Sequence, residues 1–484
     1  MFLKNIKLIV VFVLTILSII LMVFFSFPRE LSLIVLGILI FFIIFSELKD
    51  CVILFVSLIP FFVALPLFDN FDSLNSWRIL AIVIFIKWLF EKKFKIKIKK
   101  YSIEFWGIIL LMISALSLIK APGTFEAIKK IIFTLNIFIL FPVIVDLIKE
   151  KKQYVSDLIK SITISSILII IIGYLQLIST YLFGIFDFVR FWAQKAQLVF
   201  YGESWVEIVK QTNTWFTYAG GFVKLRMFST FTNSHSFPLF LLLALPSIWY
   251  LLRKKKLFIR IITIAPLLAA FIFSGTRGIW LSMIFPIFLI IFLFKKNKEF
   301  AKKTIPIFLI FIILIPITSA IIYLPQFRIN QLNPDDLIML LRRIKSGLDL
   351  GELSNQGRVL IWKQTFKSIL ESPVLGVGIN NFPIIINEEL KLEKAGSSAH
   401  NIYLQIAAEL GLIALLIFLL IIYKLLKACY DLRKNFFAWM CFICFVWAFA
   451  YSTTNLALFD GRVFLLLIVT SAMIIGLKRN VSIN

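Results

Sequence analysis

The sequence predicts an all-α integral membrane protein of about fourteen transmembrane helices, with twelve the nearest alternative, and three observations predict it. Hydrophobic residues make up 61% of the 484 residues and charged residues 16%, against roughly 45–50% and about 25% in average soluble chains. Continuous apolar runs able to cross a ~30 Å hydrocarbon layer recur from end to end. Lysine and arginine clusters such as "KKFKIKIKK", "RKKK" and "KKNK" fall between those runs, the pattern left by cytoplasmic retention of positive loops. A membrane β-barrel would alternate polar and apolar residues over short segments, and these runs do not.

The runs lie near 8–27, 31–48, 51–68, 77–90, 103–119, 131–148, 158–184, 236–252, 257–273, 278–294, 304–324, 402–423, 436–451 and 462–477. The first is too long, and too poorly followed by a cleavage site, to be a removable signal. The run at 77–90 is short and carries Lys87 near its cytoplasmic end, where a long side chain can snorkel. Alternation from a cytoplasmic N-terminus places the basic connectors and both termini inside. Two long connectors then face outward, 185–235 and 325–401. In the second, Val359, Trp362, Phe366 and Ile369 recur at helical spacing with Lys363 and Lys367 off that stripe, so a helix opened by Arg358 is expected on the membrane surface. Pro373 and the following glycines end it. The chain divides into an N-terminal bundle (1–220), a central region (221–425) and a C-terminal transmembrane hairpin (426–484).

The net charge of +25 does not imply nucleic acid, because no soluble basic domain carries it. Cys51, Cys429, Cys441 and Cys444 show no metal-ligand spacing. The Cys441–Cys444 pair lies inside a span and reads as buried small apolar side chains. Asp69 and Asp72 of "DNFD" could hold a divalent metal but read as solvated loop carboxylates.

The informative anomaly is a set of cations on the outer side. Arg277 sits in "FIFSGTRGIWLSM", a tight turn between two spans with Thr276 as the expected N-cap. A helix N-terminus already favours an anion, and a guanidinium adds a bidentate phosphate clamp. Arg226 precedes the span that begins near Ser236, and Arg358 precedes the rest of the surface helix, so three arginines could meet one anionic headgroup. His400 is one of two histidines in the chain and precedes the twelfth span. Its imidazole can accept a proton at neutral pH. His235 reads as part of a capping stretch. Glu409, nine residues past His400, lies on another helix face and is expected to make a structural hydrogen bond or ion pair.

Four segments together resemble the O-antigen ligase and polymerase family. They are "RMFSTFTNSHSFPLFLLLALP", with Ser229 where the family has glycine, and "SGTRGIWLSM", followed by "GRVLIWKQTFKSILESPVLGVGINNF". The fourth is "AHNIYLQIAAELGLIALLIFL", with Ala414 where a glycine often sits. The resemblance covers roughly 220–425. It implies a GT-C type, metal-independent, inverting glycosyltransferase without a cofactor, working on the outer face of the bacterial cytoplasmic membrane. The implied reaction moves a glycan from a polyprenyl-pyrophosphate carrier to an acceptor hydroxyl, on lipid A-core for a ligase or on a second carrier-linked glycan for a polymerase. By the same resemblance His400 is the base and Arg226 and Arg277 bind the pyrophosphate. Arg358, Asn401, Tyr403 and Asn233 are then the substrate-binding side chains. A small-anion transporter would instead need broken helices meeting near the bilayer midplane, whereas these spans read as mostly uninterrupted.

Overall fold

The computed structural model describes residues 5–67, 74–95, 98–211, 215–219, 222–294, 298–322, 326, 353–386 and 398–481. Asp69, Asp72 and most of the 325–401 connector lie outside them. The first bundle comprises α1 (Ile6–Phe24), α2 (Leu31–Phe45), α3 (Leu48–Leu58), α4 (Ser76–Glu91), α5 (Ile103–Leu116), α6 (Thr124–Phe138), α7 (Leu140–Glu150) and α8 (Tyr154–Leu182). The connector after it holds α9 (Ile185–Phe191), α10 (Leu198–Tyr201), α11 (Glu203–Gln211) and a hairpin of β1 (Phe216–Ala219) and β2 (Phe222–Leu225). Then come α12 (Ser236–Leu252), α13 (Leu257–Phe273), α14 (Arg277–Leu281), α15 (Ile284–Leu293) and α16 (Lys298–Ile322). The chain continues through α17 (Leu353–Glu371), α18 (Ile402–Asp431), α19 (Phe436–Tyr451) and α20 (Gly461–Val481).

Each of the fourteen apolar runs overlaps helix, although the 51–68 run leaves it after Phe61. Among the described residues 7 helices are long and apolar enough to cross a membrane, and five shorter apolar helices accompany them. The protein is a helical membrane protein. Its centre is α12, whose side chains from Ser236 to Trp249 are all buried, as befits a helix apolar on every face. It packs against α8, α13, α19 and α20, and α20 in turn lies along α7. Peripheral helices turn Phe41, Phe45, Phe292 and Leu416 outward, all more than 60% exposed. A soluble surface would aggregate through such side chains, whereas lipid tails accommodate them.

Three expectations need correction. First, α17 begins at Leu353, so Arg358 lies in its second turn and does not open it. Second, its buried face is Gly357, Ile361, Thr365, Ser368 and Ile369, while Phe366 and Leu370 are exposed. Small residues let α17 approach α18 closely, against Ala399, Ala407 and Ala408. Apolar side chains gain nothing by leaving lipid, so the larger ones stay outside.

Third, the mostly uninterrupted spans include an exception, because α18 breaks at Gly411 (φ 86, ψ 172). Residues 373–378 insert there: Leu412 N–H donates to Pro373 O (2.7 Å), Val377 N–H to Ala408 O (2.9 Å) and Gly378 N–H to Glu409 O (3.0 Å). Irregular backbone at this depth is tolerated because protein, not lipid, satisfies it. Glu409 completes the joint as expected, accepting from Asn380 N–H (3.0 Å), Phe382 N–H (3.3 Å) and Gln405 Nε2 (2.6 Å). Glu409→Gln turns an amide NH₂ toward those donors and should cost about 1–3 kcal/mol. The check is thermal unfolding in detergent; an unchanged midpoint would show the carboxylate to be dispensable.

Candidate active site at the convergence of four helix ends

The hairpin delivers Arg226. Its backbone N–H donates to Trp215 O (2.7 Å), and the next residue's, Met227, to Phe273 O (2.9 Å), which ties the segment to the end of α13. Arg226 Nε then donates to Ser274 O (3.2 Å), and one terminal nitrogen lies 3.5 Å from Thr276 Oγ1. Gly275 beside it takes φ +63, a backbone conformation that side-chain-bearing residues rarely adopt. Thr276 occupies the N-cap position of α14 without a side-chain cap bond; its hydroxyl donates to Ser234 O instead (2.8 Å). Arg277 follows at once as the first residue of α14.

The same terminal nitrogen of Arg226 faces His235 Nε2 at 3.4 Å, and His235 Nδ1 lies 3.0 Å from Tyr451 Oη. A guanidinium only donates, so Nε2 accepts and the proton of the neutral ring sits on Nδ1, donating to Tyr451. Capping of α12 falls to Asn233, whose Oδ1 accepts from His235 N–H and Ser236 N–H (both 2.9 Å). Tyr451 ends α19 and packs beside Gly278 of α14. The next carbonyl, Ser452 O, accepts from Ile402 N–H of α18 (2.9 Å). The N-terminal ends of α12, α14 and α18 thus meet the C-terminal end of α19.

His400 sits just before α18 with φ 48, a left-handed conformation that costs about 1–2 kcal/mol and persists only where neighbours enforce it. They do. Trp362 Nε1 of α17 donates to Ala399 O (2.9 Å), and Ala399 N–H donates to Gln405 Oε1 (2.9 Å). On the other side, Asn401 Oδ1 caps α18 by accepting from Tyr403 N–H (2.9 Å) and Leu404 N–H (3.2 Å). Tyr403 Oη donates to Phe449 O of α19 (2.8 Å). The polar atoms of Asn233, Asn401 and Tyr403 that face inward to the fold therefore hold helix ends in place.

Desolvation holds the His235 imidazole well below its ordinary value of 6.5, and the charges of Arg226, His400 and Arg358 push it the same way. Those groups from the hairpin, the α18 entrance and α17 therefore share one electrostatic neighbourhood. Sequence reasoning read His235 as part of a capping stretch, and it is the N-cap residue of α12; its ring makes no cap bond and sits between Arg226 and Tyr451. The signal available was its spacing, nine residues from Arg226, and its being the only other histidine. Below about pH 6.5 the unfolded chain protonates this residue and the folded chain does not, so stability falls with pH through that point toward the lower folded value. His235→Gln should flatten the dependence of the thermal midpoint between about pH 5 and 7.5. Parallel slopes in wild type and variant would show that the ring titrates alike in the folded and unfolded chain.

Ser229, where the resembling family carries glycine, has φ 53. Its hydroxyl donates to Ile169 O (2.7 Å), and its N–H to Gln176 Oε1 (3.0 Å). Among the described residues no group of three or more His, Cys, Asp or Glu is placed to hold a metal, and all four cysteines are buried and free.

Fold and site together define a polytopic helical membrane protein with cationic and imidazole side chains gathered at one end of its bundle. Residues 262–419, about a third of the chain, match the family described as O-antigen ligase. The match includes Arg277, Arg358 and His400, while Arg226 and His235 precede it and are brought to it by the fold. Over 158 residues the chain is 29% identical to a protein of Haemophilus influenzae, covering 31% of this chain and 37% of that relative. Proteins of Rickettsia conorii and Rickettsia felis, both provisionally named polysaccharide ligase, are 32% identical over 105 and 97 residues. Each of those stretches is 18% of this chain and 24% of the relative. The chain thus spans well under half the length of the curated relatives it matches.

Proposed function

We propose that the protein transfers a glycan from a polyprenyl-pyrophosphate carrier to an acceptor hydroxyl at the outer face of a bacterial cytoplasmic membrane, as an O-antigen ligase acting on lipid A-core. The observation that carries this reading is Arg226 set against His235 (3.4 Å) and Thr276 (3.5 Å), with Arg277 following Thr276 at the start of α14 and His400 two residues before the Ile402 N–H that α19 holds through Ser452 O. In the proposed reaction the acceptor oxygen attacks the anomeric carbon and its proton passes to the His400 imidazole. The bond from that carbon to the diphosphate oxygen breaks, and its electron pair leaves with the carrier diphosphate. Attack from the opposite side inverts the anomeric centre.

Diphosphate is already a good leaving group, so the protein's task is to stabilise charge on its oxygens and to place the acceptor. Fixed guanidiniums supply the first in a site of low dielectric. Arg226, braced by Ser274 O, suits that role, and arginines stand where other transferases use a metal. Arg358, Asn233, Asn401 and Tyr403 are proposed to line the substrate path, within a central region of 221–425. The test is the surface polysaccharide of cells whose own gene is replaced by His400→Ala or Arg277→Ala. Loss of ligated polysaccharide is expected; wild-type ladders from well-expressed variants would refute the reading.

A further inference from the structure

A second pair of cations lies apart from the arginines above. The Arg78 guanidinium of α4 lies over the rings of Trp77 (5.6 Å) and Phe133 (5.5 Å), and its buried Nε has no hydrogen-bond partner. The Lys130 ammonium of α6 lies over the same Phe133 ring (4.9 Å) and over Phe459 (5.3 Å). Among the described residues neither side chain donates a hydrogen bond or joins a salt bridge. The nearby carboxylates are already engaged. Glu409 holds the inserted loop, and Asp460 accepts from Thr232 Oγ1 (3.1 Å), Arg462 N–H (3.0 Å) and Val463 N–H (3.4 Å). Arg462 donates to Thr230 O and to Phe62 O. Ring faces attract a cation, but they do not replace the acceptors it loses on leaving water. Two half-buried cations set against aromatic rings in this way suit an anion.

Lys130 also lines a cleft of about 170 Å³ between α5, α6, α18 and α20. Its walls are almost wholly apolar, with Leu110, Phe133, Phe418 and Leu467 among them, and polar Gln405 and Glu409 stand at the Lys130 end. Apolar cavities of similar size stay dry and take apolar guests. Along α18 the lining runs from Gln405 to Leu425, on the order of 25–30 Å at ~1.5 Å per residue, comparable with the ~30 Å hydrocarbon core. A free phosphate would use the cations and leave the cleft empty, whereas a phosphate attached to a long chain would use both.

We propose that Arg78, Lys130 and this cleft form a binding site for one phosphate-bearing lipid, its phosphate on the two cations and its chain along the cleft between α5, α6, α18 and α20. The site borders the transfer centre through Thr232, which donates to Asp460 and precedes Asn233 and His235. Its existence does not depend on glycan transfer.

The test uses the full chain in nanodiscs of phosphatidylcholine containing a minor fraction of phosphatidylglycerol or undecaprenyl phosphate. Native mass spectrometry counts the lipid each chain retains. One retained phosphate lipid per wild-type chain is expected. Arg78→Gln with Lys130→Gln should lower occupancy about tenfold or more, and Leu110→Trp, which fills the cleft, should lower it comparably. Arg277→Ala and His400→Ala should retain the lipid, so this result and the transfer reading fail separately. Equal retention by the double variant, indifference to Leu110→Trp, or displacement of the lipid by inorganic phosphate would each overturn the proposal. On the unmodified protein, a lipid with a photoreactive chain should crosslink to cleft residues such as Leu110 or Phe418, and crosslinks confined to the outer surface would overturn it too.

Discussion

Replacing His400 by alanine is expected to lower turnover of purified protein by about 10²–10⁴-fold, the usual contribution of a positioned general base, while leaving donor affinity nearly unchanged. Arg277→Ala should behave differently, because it removes charge stabilisation that grows as the leaving group departs. A loss of about 10²–10³-fold in kcat is expected, together with weaker donor binding that becomes more sensitive to salt. Arg277→Lys keeps the charge but not the two-pronged geometry, so it should recover only part of the loss. Single-turnover transfer from a polyprenyl-pyrophosphate-linked glycan separates these effects. Full turnover by folded His400→Ala protein would remove the imidazole from the mechanism, and identical kinetic signatures for the two variants would remove the division of labour. Because Trp362, Gln405 and Asn401 brace the His400 backbone, the alanine variant should fold normally.

The largest expected effect on stability comes from Gly411→Ala. At φ 86 and ψ 172 the residue occupies a region of backbone space that only glycine visits freely. An added Cβ would also lie 2.1 Å from Val374 O and 2.4 Å from Val374 C. Backbone cannot yield as a flexible side chain can, so either the inserted loop leaves or the helix shifts. A cost above about 4 kcal/mol is expected, seen as loss of monodisperse protein or a sharply lowered thermal midpoint. Gly37→Ala is the matched control, since nothing lies within 4 Å of its Cβ and alanine suits a helix interior by up to about 1 kcal/mol. If both variants melted like wild type, the break in α18 would not be part of the native structure.

What the sequence disclosed follows from how far each signal reaches along the chain. Long apolar runs are local and strong, so every expected span met a helix, down to 77–90, where the Lys87 ammonium donates to Ile43 O, Ile44 O and Ser46 O. The arginines and His400 were conspicuous as polar groups beside apolar runs. The joint between Pro373 and Gly411 was hidden because it pairs segments 38 positions apart in the numbering through main-chain atoms, which leave no side-chain signature. The face of α17 was misjudged because burial in lipid surroundings follows size rather than polarity, as Thr365 and Phe366 show. The hairpin at 216–225 was overlooked although its two short β-rich runs flank a Gly-Gly pair, a recognised turn signal. His235 escaped because a helix-entry position offered a sufficient reason for a histidine.

The interruption of α18 has a mechanical consequence. Above Gly411, the stretch from Ile402 to Leu410 shares main-chain hydrogen bonds with the segment entering from α17 and with the end of α19. Below it, apart from the Leu412 N–H bond to Pro373 O, the remaining turns join the rest of the bundle through ordinary side-chain packing. The proposed base therefore travels with the segment that follows α17 and not with the long rod beyond Gly411. A change that reshapes the connector will be felt at His400 before it is felt at Leu425, and acceptor preference and base alignment will vary together.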